Sequence, residues 1–190
     1  MDFNSSLSSQ PMHSAALLLI ADDSALGTLG SDQASLISVV FSVLAVEAFI
    51  NELAWPWRKK NDRTLRKKFE QLSKDLNLPS DLCNDFLMLN RTRNALVHFR
   101  PEVVDLDESQ SAFIPNKVVQ DLVDRKVIGL ESGVMPTLIA TLRRPEVEKW
   151  ANELARRVIR ESVLRLPATP LKDRELARWS KIPSPNPVIK

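Results

Sequence analysis

The residues of this 190-residue chain best suited to chemistry lie together in Arg91-Thr92-Arg93-Asn94-Ala95-Leu96-Val97-His98-Phe99-Arg100. The chain has only two histidines, and the other, His13, stands at the start of a first helical pattern. At about 100° per residue, Asn94 and His98 are neighbours one helical turn apart, with Arg91 on the same stripe. Arg93 points roughly 140° away from His98 around the axis. Its long side chain can still reach round where the last turn loosens before Pro101. An imidazole, a guanidinium and a carboxamide on one patch suit cleavage of a phosphodiester without a metal. His moves a proton near neutral pH, Arg stabilises charge building on the phosphoryl oxygens, and Asn orients a hydroxyl or the phosphate. The plainer reading stays open on spacing alone, because basic residues and His at a helix C-terminus also complement the macrodipole.

The elements that must position this set are helical. Apolar spacing predicts a helix from His13 to about Leu26, stopped near Gly27 and Gly30. A long second helix runs from about Gln33 to Trp55, with a cap at Ser31-Asp32 and an end at Pro56. The second helix is apolar almost all round, so it should be central. A third carries Phe69, Leu72 and Leu76. A fourth, from about Asp81 to Phe99 with Leu82, Phe86, Leu87, Leu89, Leu96 and Val97 apolar, holds the chemical segment and stops before Pro101. An acidic loop (Glu102, Asp105, Asp107, Glu108) follows, then a short helix near Pro115 to Val127. An irregular link comes next, through Gly129, Gly133 and Pro136. Pro145 opens a long amphipathic helix to about Leu166, with Val147, Trp150, Ala151, Leu154, Val158, Val163 and Leu164 as its stripe. A short helix at Leu171–Ser180 closes the series. The expected fold class is an all-α helical bundle with a long central helix and a C-terminal amphipathic helix. It forms one domain over residues 13–181, between a flexible tail at 1–12 and a Pro-rich tail at 182–190.

Composition narrows the function classes. Four Gly leave little room for a Gly-rich phosphate loop. The single Cys83 can make no internal disulfide and, with two His, no ordinary zinc site, so neither metal nor cofactor is expected. Cys83 reads more simply as a small buried side chain, and a reducing, cytoplasmic setting follows. The N-terminus has no basic stretch before its first apolar run, and the run Leu36–Val46 is too short to span a bilayer. A net charge of +2 does not by itself argue for nucleic acid.

Two further features bear on the chemistry. Glu47 is a carboxylate on the apolar second helix, costly to bury unless paired. Arg93 or Arg91 would satisfy it; a solvent-facing position or a remote Arg would do the same structurally. The run Arg58-Lys59-Lys60-Asn61-Asp62-Arg63-Thr64-Leu65-Arg66-Lys67-Lys68 holds seven basic residues against one acid. It can track an RNA backbone, with Trp55 and Trp57 stacking on bases, or it can be a solvated helix edge beside tryptophans that close a core.

Arg93-Asn94-Ala95-Leu96-Val97-His98 resembles the R-N-x-x-x-H signature of the HEPN superfamily, all-helical domains found in prokaryotic toxin and defence ribonucleases. The long helix through Val43-Leu44-Ala45-Val46-Glu47-Ala48-Phe49-Ile50-Asn51-Glu52-Leu53-Ala54 is similar as well. The resemblance covers residues 13 to 165, its specific part being the signature and that helix. It implies a metal-independent endoribonuclease whose site is composite across a homodimer. Arg93 would stabilise the phosphate, Asn94 would position, His98 would act as general acid or base, and Glu47 would orient the set. Arg91, Arg100, Asn51, Arg58, Lys59, Lys60 and Arg63 would contact RNA. The substrate's 2′-hydroxyl would be the nucleophile, leaving 2′,3′-cyclic phosphate and 5′-hydroxyl ends. RNA, a second copy and an antitoxin protein are the implied partners, with no membrane. The rival reading is a catalytically silent HEPN-like module for dimerisation, partner docking or nucleotide binding.

Overall fold

The computed structural model describes residues 13–25, 31–53, 64–98, 116–130 and 135–180. These form helices α1 (His13–Ala25), α2 (Ser31–Leu53), α3 (Leu65–Asp75), α4 (Ser80–Val97), α5 (Lys117–Asp124), α6 (Leu138–Leu142), α7 (Pro145–Arg165) and α8 (Pro170–Trp179), with no strand among the described residues. The fold class is all-α, as expected. One element departs from expectation: α6 lies where the glycines and Pro136 suggested an irregular link. Its five residues are too few for periodicity to register, but Thr137 caps it, its Oγ1 accepting from the Ala140 N–H at 3.3 Å.

The long α2 is the hub. It packs along α1, against α7 and α4, and more lightly on α3, while α4 also meets α7 and α5. The core between them holds Val43, Val46, Phe49 and Ile50 of α2, Phe86 and Leu89 of α4, and Ala151, Val158 and Ile159 of α7. Phe69 of α3 and Phe86 of α4, both fully buried, pack with ring centroids 4.2 Å apart and planes tilted by 49°. Such burial, at ~25 cal/mol per Å² of apolar surface, is what makes a bundle out of helices that would be marginal alone.

The α2 span Ser35–Leu53 is longer than the Leu36–Val46 run suggested. Its 19 residues and mean hydropathy of 1.9 meet the length and composition of a membrane span, and half of it is buried inside the bundle. Its first described residues also revise the cap, since Ser31 is already helical.

Local signals set the other ends. Thr64 caps α3 through the Lys67 N–H, and Asn116 caps α5 through the Val118 N–H at 2.9 Å. After α3, Asn77 takes a left-handed backbone (φ 49°). Leu78 N–H then bonds back to Ser73 O at 2.9 Å, the closing pattern that lets the chain turn into α4. Pro79 precedes α4 with no side-chain cap, and Ser80 is already its first helical residue, one earlier than expected. Pro145 is the first residue of α7, as read. Two apolar positions read as stripe residues are instead exposed: Val97 (53%) and Leu164 (47%). Both sit at helix ends, where the packing helices no longer cover them.

The last helix is fastened by charge. Arg178 of α8 meets Glu52 of α2 at 3.2 Å and Glu175 at 3.3 Å, and Glu52 also accepts from the backbone N–H and hydroxyl of Ser14. Beside this network the Trp179 ring meets Phe49 edge-on at 6.0 Å. This pins α8 to the side of α2 opposite Glu47.

Candidate functional site

The stripe of α4 that faces the core contains Leu82, Phe86 and Leu89, all fully buried. Seven residues are almost two turns, so Arg93 lies within about 20° of Phe86 around the axis. An arginine therefore stands at a core position, and Asn90, 7% exposed, stands on the same stripe one turn earlier. The reason such polarity is tolerated is Glu47. Arg93 Nη2 lies 3.7 Å from Glu47 Oε2 across the α2–α4 seam, with the two side chains 19% and 32% exposed. Each charge is largely out of water and offset by the other. The Nε of Arg93 and the Oδ1 of Asn90 are both buried and, among the described residues, without a hydrogen-bond partner.

Asn94 and His98 occupy the next turns of α4. Asn94 is half-buried; its backbone carbonyl accepts from the His98 N–H at 2.9 Å. His98 is the C-terminal cap residue of α4 (φ −107°, ψ 35°) and is exposed. Neither side chain has a hydrogen-bond or ion-pair partner among the described residues. The last turn stays helical to Val97, so His98 and Arg93 remain about 140° apart around α4, and no hydrogen bond joins them among the described residues.

The flanking residues are distributed as follows. Arg91 is drawn to α5, its Nη2 3.3 Å from Asp121 Oδ2. Asn51, one turn beyond Glu47, accepts from Lys68 Nζ of α3 at 3.0 Å. Lys68 therefore brings a cation to the same end of α2. Arg100, Arg58, Lys59, Lys60 and Arg63, together with Trp55, Trp57 and the acidic loop after Pro101, lie outside the described residues. Half-buried apolar side chains Ile37, Val40, Leu44 and Ala48 share with Glu47 and Asn51 one side of α2. On α4, Val97 is an exposed apolar side chain one turn beyond Arg93.

Elsewhere the polar chemistry is structural. Glu148 of α7, 8% exposed, accepts from the Ser35 hydroxyl at 3.0 Å; burial pushes its carboxyl up from the usual range, and that hydrogen bond offsets part of the rise. Asp81 is held below the usual range chiefly by its hydrogen bond from Arg157 at 3.0 Å. Cys83 is half-buried and in no disulfide, its thiol donating to Leu78 O at 4.0 Å. Among the described residues no three His, Cys, Asp or Glu side chains lie close enough together to hold a metal ion. A groove of about 710 Å³ runs between α7 and α8, lined by Arg156, Arg157, Arg160, Leu164, Leu176 and Trp179, away from the Glu47–Arg93 seam.

Sequence reasoning passed over Asn90 and Lys68. The signal for Asn90 was available: Phe86, Asn90, Arg93 and Val97 form one stripe at helical spacing, and two polar residues on an apolar stripe ask for a reason. Lys68 was visible only as one member of a basic run. Comparison of the chain with protein-family models, with curated proteins and with solved structures finds no match.

Proposed function

We propose that this chain is a metal-independent endoribonuclease of HEPN type, acting as a homodimer. The observation that carries the reading is the Glu47–Arg93 pair at 3.7 Å, which holds a guanidinium in a core position on the helix that goes on to Asn94 and His98. A core arginine is costly, and a hydrophobic residue there would pack more cheaply. Its retention beside a carboxamide and an exposed imidazole makes sense where an oxyanion is to be bound.

In this mechanism the substrate's 2′-hydroxyl loses its proton and attacks the adjacent phosphorus. The bond to the 5′-oxygen breaks, and that oxygen leaves with a proton. The products are a 2′,3′-cyclic phosphate and a 5′-hydroxyl, with no water consumed. His98 moves the protons, Arg93 stabilises the pentavalent phosphorane, Asn94 positions, and Glu47 orients Arg93. Because Arg93 and His98 point to different sides of α4, a second copy brings one motif against the other. The apolar side of α2 that carries Glu47 supports such a dimer. Lys68 and the basic residues of its run contribute backbone contacts to RNA, and an antitoxin protein belongs to the same reading.

A second reading, the catalytically silent dimerisation or docking module, is favoured by one observation: among the described residues no hydrogen bond joins His98 to Arg93. The test is cleavage of mixed structured RNA in excess EDTA by wild type, His98→Ala and Arg93→Ala, each verified as folded. Cleavage by wild type and its loss in both variants is expected. Absence of cleavage by a folded wild-type dimer across several RNAs would transfer the weight to the silent module.

A further inference from the structure

Asn90 precedes Arg93 by three residues on α4, so the two side chains stand one turn apart on one side of the helix. Among the described residues Asn90 Oδ1 is an acceptor buried without a partner, and Arg93 Nε is a donor buried without a partner. Long helical side chains lean toward the helix N-terminus, which carries Arg93 back toward Asn90. Across the seam Glu47 engages Nη2 at 3.7 Å, an ion pair too long for a hydrogen bond. The guanidinium is thus loosely held on one edge and unheld on the other. A leucine at position 90, like Leu82 and Leu89 on the same face, would avoid the cost of an unpaired buried amide.

We propose that Asn90 is a positioning residue for Arg93: when a phosphate-class oxyanion takes the Nη edge from Glu47, the Nε–H turns onto Asn90 Oδ1. The exchange swaps one anion for another on the guanidinium, so no unpaired charge is buried. It satisfies both orphan groups in one hydrogen bond, and it aims the two Nη groups outward as a fork for two phosphate oxygens. The inference rests on reading Arg93 as the phosphate-binding group, but not on cleavage.

The test uses the full-length ¹⁵N-labelled chain titrated with inorganic phosphate, reading the Arg93 Nε–H resonance, assigned by its loss in Arg93→Lys. In wild type, phosphate should shift this resonance and slow its exchange with solvent. Asn90→Asp, which keeps an acceptor, should respond likewise. Asn90→Leu should lose the response and weaken apparent phosphate affinity about tenfold, the worth of one hydrogen bond to a charged group. Its thermal midpoint should be no lower than wild type, because the substitution removes an unpaired amide. A response in Asn90→Leu equal to that of wild type overturns the proposal, as does no response in wild type. Loss of the response in Asn90→Asp together with a lowered midpoint overturns it too, marking a purely structural role. A phosphate response of the expected kind with no RNA cleavage leaves this inference standing and removes only the ribonuclease reading.

Discussion

Replacing Glu47 with Gln, Arg93 with Met, and both together measures how strongly the α2–α4 seam holds the guanidinium. At 3.7 Å two unit charges attract by about 4–5 kcal/mol at an effective dielectric of ~20. The side chains are 19% and 32% exposed, so they keep part of their hydration and are partly screened. The net coupling falls to about 1–2 kcal/mol once screening and lost hydration are counted. Urea denaturation of the four proteins gives that coupling from the double-mutant cycle. Glu47→Gln alone should lower the thermal midpoint by about 3–6 °C, given roughly 2–4 °C per kcal/mol at this chain length. Raising salt to about 1 M, where the screening length is ~3 Å, should shrink the coupling without abolishing it. A coupling under about 0.3 kcal/mol, within the additivity of independent sites, would refute the claim that Glu47 fixes Arg93.

Glu148→Gln should stabilise the fold at neutral pH. With its carboxyl raised above the ordinary value of 4.5, the folded state binds the extra proton, so this group's contribution is complete below that value and is lost as pH rises through the raised one. The difference in urea midpoint between variant and wild type should therefore grow from about pH 4 to pH 8, and a flat difference would contradict it. Phe86→Ala, removing a fully buried ring packed against Phe69, should cost about 3–5 kcal/mol in chemical denaturation. Arg178→Met breaks the link between Glu52 and Glu175, and Glu175, 1% exposed, keeps only Arg174. Hydrogen exchange in α8 should then rise well before exchange in α2, whereas equal rises in both helices would show that α8 is not separately fastened.

The helices were legible because periodicity and punctuation agree along most of the chain. Pro145 opens α7, Pro79 precedes α4, and the apolar positions of α2 leave it nowhere to go but the centre. The short α6 was not legible: five residues give no period, and its neighbouring Gly and Pro argued for a loop. Exposed Val97 and Leu164 show the limit of reading a stripe, since periodicity says which way a residue faces but not whether anything covers it there. At the site, the apolar surroundings of Glu47 already demanded a partner, and Arg93 is that partner. What spacing did not supply was the choice between Arg93 and Arg91, which depends on where α5 sits. Asp121 takes Arg91 and leaves Arg93 for the seam. The orphan atoms of Asn90 and Arg93 were beyond reach for the same reason, because partnership is decided by packing between helices.

The chemistry of the cut ends distinguishes 2′-hydroxyl attack from every other route of strand scission. Wild-type protein in excess EDTA is given an RNA that it cleaves, and the same RNA with a single 2′-deoxy substitution at the cleaved position. Mass spectrometry should find a 2′,3′-cyclic phosphate and a 5′-hydroxyl on the first and no cleavage at that position in the second. Products bearing a 3′-hydroxyl and a 5′-phosphate, or equal cleavage of the deoxy-substituted strand, would contradict the account.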